Sequence, residues 1–431
     1  MTKIVPTLEF PGVKYPGRMA IADTLNELQR QAKAYRDFVV STKGMSLVAN
    51  DKHGILLSFA VGDETFMLPI SKRGYLQLTQ WIGLPTSSCL YKRLRYGSDD
   101  VRKRQKGEVS DRFWNTLRAL VNDHFSLLRA KKLIRMLKNQ DGQWYVRAIL
   151  SDRYKIIPND QLFLMAAERI KEIGAEVWDA RLSEDAFYLY CVAPGVSAQI
   201  RTDRPFDTNV RWAGDAGDSV NAALMIRNSE TGQGGCEVCP AIMTKVTGAY
   251  LVKQNALSMR HIGKRHEMDA MLSFATIQKQ NALVFDKVRD FIVAAFDVDR
   301  FQDFVDKLQD ATQDELEDPA AAAEAVRVVY DLGETRKAAI INWLMTSGDK
   351  SRYGLAQAVA REAHDNDRID ADEAAHLERV GSDLIIHQTS LKLAKAFASK
   401  AVQKANETAA ATLERLEVQA TSAIGIDGLD F

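Results

Sequence analysis

The sequence predicts an α+β protein, in which an N-terminal part containing an antiparallel sheet is followed by an all-helical C-terminal part. Segments rich in β-branched and large apolar residues lie close together between residues 46 and 252, and such spacing favours an antiparallel sheet over a doubly wound one. Near Met268 the pattern changes, and helical periodicity continues to about Ala420. We therefore expect a mixed domain over residues 1–266, a helical domain over 267–420 and a flexible C-terminal tail over 421–431.

Helical and strand patterns follow one another along the mixed part. Apolar residues that recur every three or four positions predict helices, and short runs of β-branched and aromatic residues predict strands. The predicted helices lie within 1–45 and at 75–84, 113–138 and 159–171, and the predicted strands at 46–49, 55–61, 65–70, 144–150, 175–182, 186–192, 198–201, 219–228 and 236–252. Asn159, which follows a proline, is the expected N-cap of the helix at 159–171. The glycine-rich residues 229–235 are expected to form an exposed hairpin tip or a flexible loop.

The C-terminal part shows clear helix starts. Asp318 followed by Pro319 is typical of an N-cap and first helical position. Asp370 and Glu373 have the spacing of a capping box. A last, alanine-rich helix is expected over 389–418.

Composition narrows the class of protein without naming a reaction. The chain has 431 residues, of which 46% are hydrophobic and 26% charged, which is ordinary for a globular protein and excludes a disordered or collagen-like chain. Four cysteines are too few for a disulfide scaffold and fit a reducing cytoplasm. No apolar run reaches the roughly 18 residues that cross a bilayer, and the N-terminus lacks the apolar core of a signal peptide. A cytoplasmic protein without membrane contact is expected.

Charge is balanced overall but unevenly distributed. The chain has 57 Lys or Arg and 57 Asp or Glu. Residues 92–138 contain fourteen basic and five acidic residues, a net of +9, whereas 297–331 contain three basic and eleven acidic residues, a net of −8. The basic segment can contact the phosphates of a nucleic acid. Alternatively, the two segments pair with each other, within a chain or between protomers, or the basic segment is a solvated face.

Two clusters mark the basic segment as a candidate nucleic-acid site. The candidate contacts in them are Lys92, Arg93, Arg95, Arg102, Lys103, Arg104 and Lys106. Short basic clusters of this kind occur widely, so they indicate a binding surface only weakly.

One set of residues has the spacing of metal ligands. Cys236 and Cys239 form a Cys-x2-Cys pair, and His261 and His266 follow, a ligand set that tetrahedral zinc accepts. In a strand, however, positions 236 and 239 point to opposite faces, so both bind one metal only if the strand bends. Redox thiols, or plain buried thiols with unrelated histidines, are the alternatives. No cofactor is expected apart from this zinc.

The sequence contains no motif that identifies an enzyme. A Walker-type phosphate loop is absent from it, and the glycines at 232, 234 and 235 lack the following Lys and Ser or Thr. The polar neighbours of Ser229 predict that it lies in an exposed loop, but no nucleophile-elbow pattern surrounds it. A protein that is not an enzyme is the expectation.

The sequence resembles the phage/plasmid-like family of unknown function, domain of unknown function nine-three-two, at three places. The matching stretches are 146–159, with its Ser-Asp-Arg-Tyr run, 213–232, with Asn-Ser-Glu-Thr-Gly at 228–232, and 352–359. The sequence departs from the family at 245–250, where the Cys and Asn of a Cys-Thr-Asn-Gly-like stretch are missing. The resemblance implies a protein encoded on a mobile element, with accessory work in DNA replication or recombination.

Three residues of the first matching stretch are further candidate nucleic-acid contacts. Arg147, Arg153 and Tyr154 flank a predicted strand end, where two guanidinium groups and a phenol suit phosphate and base contacts. An internal bridge between Asp152 and a neighbouring Arg is the alternative.

Together these features predict a homo-oligomeric DNA-binding protein that prefers single strands and acts in single-strand binding or annealing. A non-enzymatic interaction protein that binds a host protein in counter-defence is the second hypothesis, and a metal-dependent enzyme is the third.

Overall fold

The computed structural model describes residues 4–5, 15, 19–50, 54–81, 109–201, 218–245, 247–253, 257–259, 274–365 and 369–386. Strands dominate up to Met259 and helices follow from Phe274, which confirms the predicted α+β class with its antiparallel sheets and helical C-terminal part. None of the helices in these ranges is long and apolar enough to cross a bilayer.

Three small antiparallel groups of strands form the first part of the fold. The two-residue strands β1 and β6 pair with each other. One three-stranded sheet has the order β2-β7-β8, and another has the order β3-β4-β5. The bounds of these strands are β1 Ile4–Val5, β2 Tyr35–Ser41, β3 Met45–Asn50, β4 Gly54–Val61, β5 Glu64–Pro69, β6 Val109–Ser110, β7 Lys131–Lys138 and β8 Trp144–Ser151. Helices α1 Ile21–Ala34, α2 Lys72–Trp81 and α3 Asp111–Leu127 accompany them.

A larger sheet forms the centre of the molecule. Its strands follow the order β13-β12-β11-β10-β9, and β14 also pairs with β12. The bounds are β9 Glu176–Leu182, β10 Phe187–Ile200, β11 Asp218–Asn228, β12 Cys236–Thr244, β13 Tyr250–Val252 and β14 Leu257–Met259. Helix α4, Asn159–Glu172, connects the β2-β7-β8 sheet to this one.

Six described helices follow, and several of them pack on the central sheet. Their bounds are α5 Phe274–Ala295, α6 Val298–Gln313, α7 Pro319–Val329, α8 Glu334–Ser347, α9 Arg352–Asp365 and α10 Ala371–Ile386. α5 packs on β12, α6 on β10 and α10 on β13. Asp318 accepts hydrogen bonds from the amides of Ala320 and Ala321, and Asp370 accepts one from the amide of Glu373, so both predicted helix starts are confirmed.

Apolar residues form two main cores. One contains side chains of the β2-β7-β8 and β3-β4-β5 sheets with those of α2 and α3. The other extends from Leu28 through one face of the central sheet to Ile385 in α10. This second core contains side chains of both the strands and the C-terminal helices. The boundary expected at residue 266 therefore separates a strand-rich part from a helical part that share one core.

Several predicted elements differ from the structure. The strand expected over 236–252 is divided into β12 and β13, and the strands expected at 186–192 and 198–201 form the single strand β10. The helix expected over 113–138 ends at Leu127, and 131–138 form β7, which is buried on both faces between Leu133 and Leu137. The first 45 residues contain the strand β2 as well as the helix α1. Asn159 is the first residue of α4 and not its N-cap, because its side chain instead accepts a hydrogen bond from Asn228. The last predicted helix, 389–418, lies outside the described residues.

Candidate nucleic-acid interface

A loop of the central sheet, between β11 and β12, is buried against the β2-β7-β8 sheet. Residues 228–232, which we call the 228–232 loop, follow β11, and Asn228, Ser229, Glu230 and Thr231 are all buried. The sequence predicted a hairpin tip or a flexible loop at 229–235. The antiparallel pairing of β11 with β12 confirms the hairpin, whereas the expected exposure is wrong for Ser229, Glu230 and Thr231. The polar side chains are buried because each has a hydrogen-bonding partner on another element, which offsets the cost of removing it from water.

Glu230 is the centre of these contacts. Its Oε2 lies 2.8 Å from Nη2 of Arg135 on β7, and its Oε1 accepts a 2.8 Å hydrogen bond from the amide of Asn159. Nη1 of Arg147 on β8 lies 3.9 Å from the same carboxylate. One acid therefore lies between two buried guanidinium groups and also satisfies the first amide of α4. Asp37 and Glu184 supply the further negative charge beside Arg135 and Arg147.

Arg147 has an interior position, which corrects its prediction as a nucleic-acid contact. The register of β7 and β8 shifts between Arg135 and Met136 and skips Arg147. The side chain donates to the Glu184 carbonyl at 2.7 Å and to Oε1 of Gln31 at 3.0 Å. Arg147 is 1% exposed, so its guanidinium is not available to a phosphate. The alternative of an internal bridge applies, with Glu184 and Glu230 as the acids in place of Asp152.

Tyr154 also has a structural contact. Its hydroxyl donates a 2.7 Å hydrogen bond to the carbonyl of Ser229, and the ring is partly buried beside Leu133 and Leu150. Burial raises its pKa well above the usual range. The ring therefore anchors the turn after β8 on the 228–232 loop instead of presenting a free stacking face.

A basic groove lies at the end of the β2-β7-β8 sheet, where β7 begins and β8 ends. It has a volume of about 460 Å³, and its lining residues are Arg129, Ala130, Lys131, Lys132, Ser151, Asp152 and Arg153. Four cationic side chains and one carboxylate line it, a formal charge of +3. The position follows from the strand register, in which Lys132 lies opposite Ser151.

Two features of the groove make it suitable for an anion. Thr42 closes the end of α3 by donating from its hydroxyl to the Leu128 carbonyl at 2.7 Å and from its amide to the Ala130 carbonyl at 3.0 Å. These bonds fix the segment between α3 and β7, which carries Arg129, beside the groove. Nζ of Lys132 lies 3.9 Å from the centroid of the Trp81 ring, a cation–π contact that holds the ammonium at the groove.

Burial also affects the pKa of Lys132. It lowers the pKa of the ammonium, and the charge of Asp152 partly opposes this shift. Arg129, Lys131 and Arg153 are exposed in the structure. The groove therefore combines three solvent-facing cations with a fourth that is half-buried.

Of the predicted nucleic-acid contacts, Arg153 is the one that the structure places in this groove. Arg129, Lys131 and Lys132 belong to the basic segment but were not among the candidate contacts, because the sequence assigned them to a helix. The spacing Arg-x-Lys-Lys at 129–132 is the signal that could have identified them. Lys92, Arg93, Arg95, Arg102, Lys103, Arg104 and Lys106 lie in 82–108, outside the described residues.

The two cysteines proposed as zinc ligands lie on opposite faces of the central sheet. Cys236 packs in the large core, whereas Cys239 packs on the opposite face of the sheet beside Tyr190 and Tyr250. Burial raises the pKa of Cys236 to about 12 and that of Cys239 to about 11, so both are thiols in the metal-free protein. His261 and His266 lie outside the described residues. Among the residues that the structure does describe, no three His, Cys, Asp or Glu side chains are grouped to hold a metal ion.

The acidic segment, residues 297–331, lies in the helical C-terminal part and includes α6 and α7. Asp299, Asp303, Asp306 and Asp310 are exposed on α6, opposite its buried stripe. Ion pairs of this segment include Asp314 with Arg352 and Glu324 with Arg327 and Lys337, all within the helical part. The described ion pairs of the basic segment join Arg135 to Asp37 and Glu230.

The structure brings the three stretches of the family resemblance into contact. Tyr154 and Asn159 of the first stretch contact the 228–232 loop of the second. Tyr353 of the third donates to Asp218, the first residue of the strand that leads into that loop. Comparison of the chain with family models, with curated proteins and with solved structures found no match in any of the three.

Proposed function

We propose that this protein binds nucleic acid, without catalysing a reaction, through the basic groove at the end of the β2-β7-β8 sheet. The observation that supports this proposal is the meeting of Arg129, Lys131, Lys132 and Arg153 in one concave site with a single acid. Neutralising phosphates releases counterions, so such a site binds a polyanion even in a protein with no net charge.

A single strand is the favoured ligand. The groove has the volume of a small-ligand site, which suits one sugar–phosphate backbone and not the body of a duplex. The basic residues at 92–106 follow Trp81 in the chain, and Trp81 contacts the groove through Lys132. Single-stranded DNA binding or annealing, in replication or recombination on a mobile element, is the role that we propose.

Fluorescence anisotropy of labelled oligonucleotides tests the proposal. The variant Lys131→Gln/Arg153→Gln removes two charges from the groove, and Lys33→Gln/Lys171→Gln removes two exposed charges elsewhere. We expect the slope of log affinity against log salt to fall in magnitude by about 1.4 for the groove variant, about 0.7 for each lost contact on a single strand. The control variant keeps the wild-type slope. Equal slopes for the two variants contradict a binding site in the groove.

A second candidate is a non-enzymatic interaction protein. The exposed row of Asp299, Asp303, Asp306 and Asp310 on α6 favours it, because such a face suits a basic partner protein. This candidate predicts that the wild-type protein binds neither single nor double strands at low salt. It also predicts that Asp303→Asn/Asp306→Asn weakens capture of a host protein.

A further inference from the structure

The turn that carries Arg153 is held on one side by the 228–232 loop. This turn, residues 151–154, follows β8, and the amide of Tyr154 donates to the Ser151 carbonyl at 3.0 Å. The amide of Arg153 donates to the Ser151 hydroxyl at 3.3 Å. Beyond these local bonds, the hydroxyl of Tyr154 donates to the Ser229 carbonyl at 2.7 Å.

The 228–232 loop is itself fixed by contacts with other elements. Gln77 of α2 donates to the Thr231 carbonyl at 2.6 Å and accepts from the amide of Ile149 at 2.8 Å, so it ties the loop to β8. Ser229 donates from its hydroxyl to the Asp185 carbonyl at 2.8 Å. The loop is therefore a rigid anchor for Tyr154.

Gly232 allows the close approach of the turn and the loop. It has a φ of +81°, and a Cβ at this position would lie 2.7 Å from Cδ2 of Leu150 and 3.8 Å from Cε2 of Tyr154. A side chain here would displace the end of Leu150, whereas its distance to the Tyr154 ring is that of an ordinary contact. The glycine thus leaves room for Leu150, against which the ring of Tyr154 packs.

From these contacts we infer that Tyr154 is a positioning residue that holds Arg153 in the nucleic-acid groove. Its hydroxyl fixes the backbone of the turn that carries Arg153, so less conformational entropy of the turn is lost when the guanidinium meets a phosphate. The inference rests on the proposed function, and it names a residue that acts on the ligand only through its neighbour.

A double-mutant cycle in the full-length protein measures this role. Its variants are Tyr154→Phe, Arg153→Gln and the double variant, with Tyr145→Phe as the matched control. Tyr145 lies on β8, the strand that leads into the turn, and donates a partly buried hydrogen bond of 3.0 Å to Glu184, at the end of the strand away from the groove. The probe is a fluorescein-labelled 20-mer of deoxyadenosine, with anisotropy measured over a series of NaCl concentrations.

We expect Tyr154→Phe to lower the affinity about threefold and Arg153→Gln about fivefold, the size of one weakened or lost charge-assisted contact. In the Arg153→Gln background, Tyr154→Phe has no further effect, and the salt slope of Tyr154→Phe lies between those of wild type and Arg153→Gln. Tyr145→Phe leaves both affinity and slope unchanged. Hydrogen exchange of the amides at 151–154 is faster in Tyr154→Phe than in Tyr145→Phe.

The positioning role of Tyr154 and the proposed binding of nucleic acid are contradicted by different results. Additive losses for Tyr154→Phe and Arg153→Gln, or an unchanged affinity for Tyr154→Phe, overturn the positioning role while the groove remains the binding site. A wild-type protein without salt-dependent binding overturns the proposed function, and the positioning role fails with it.

Discussion

Lys132 carries the charge in the groove that responds most to pH. Burial lowers the pKa of its ammonium, so this lysine loses its proton at a lower pH than an exposed lysine does. We expect affinity for a deoxyadenosine oligonucleotide to begin to fall, as the pH rises, before ordinary lysines titrate. Lys132→Arg removes this early loss because arginine stays charged. Anisotropy from pH 7 upward checks this, and identical profiles for the two proteins would show that Lys132 does not contact the ligand.

Glu230 holds a buried charge cluster together, so its loss should be costly. Glu230→Ala leaves the buried guanidinium of Arg135 without this partner, and we expect the free energy of unfolding to fall by about 3–5 kcal/mol. Glu172→Ala is the control, because Glu172 forms an ion pair of 2.7 Å with Arg169 but is exposed. This control should lose at most about 1 kcal/mol. Urea unfolding measures both, and similar losses would mean that Glu230 is not an anchor.

At the scale of elements, helix α7 depends on its cap. Asp318 accepts from the amides of Ala320 and Ala321 at 2.9 and 3.0 Å, and Pro319 occupies the first turn. Asp318→Ala should lower the free energy of unfolding by about 1 kcal/mol. Asp303→Ala, on the exposed face of α6, should change it by less than about 0.5 kcal/mol. Equal effects in a denaturant titration would contradict the role of the cap.

The starts of α7 and α10 could be predicted because their signals are local. Each depends on an acid that caps amides within three residues. The strand β7 could not be predicted, since Leu133–Leu137 are buried on both faces and lose the alternation that identifies a strand. The apolar stripe of α3 continues into this run, so the sequence indicated one long helix.

The candidate site could be predicted only in part, because its contacts join distant residues. Arg153 was identified from its neighbours in the chain. The burial of Ser229 and Glu230 was missed because their partners Asp185 and Arg135 lie 44 and 95 residues away. One sequence shows polar residues in a glycine-rich run, and such a run is usually exposed.

On the scale of the whole molecule, strands and C-terminal helices share one core. α10 covers the face of the central sheet that carries Tyr190, whose hydroxyl donates to Glu378 at 2.6 Å. Nη1 of Arg181 on β9 lies 2.9 Å from the same carboxylate, so a buried ion pair joins sheet and helix. The helical part is thus a structural component of the sheet and not an appendage to it.

Residues 1–266 alone should therefore not fold stably. Without α5–α10 the central sheet would expose one face of the large core and leave the buried guanidinium of Arg181 without Glu378. We expect the fragment to be insoluble or to lack a near-ultraviolet circular dichroism spectrum, whereas the full chain shows one. A soluble fragment with a cooperative unfolding transition would contradict the shared core.

The most direct test of the central claim is to map where a single strand touches the protein. A photoreactive oligonucleotide is crosslinked to the full-length chain at low salt, and the modified peptides are identified by mass spectrometry. We predict crosslinks to residues 129–132 and 151–153, which line the groove, and their loss in Lys131→Gln/Arg153→Gln. Crosslinks confined to other surfaces, or none at low salt, would contradict nucleic-acid binding in this groove.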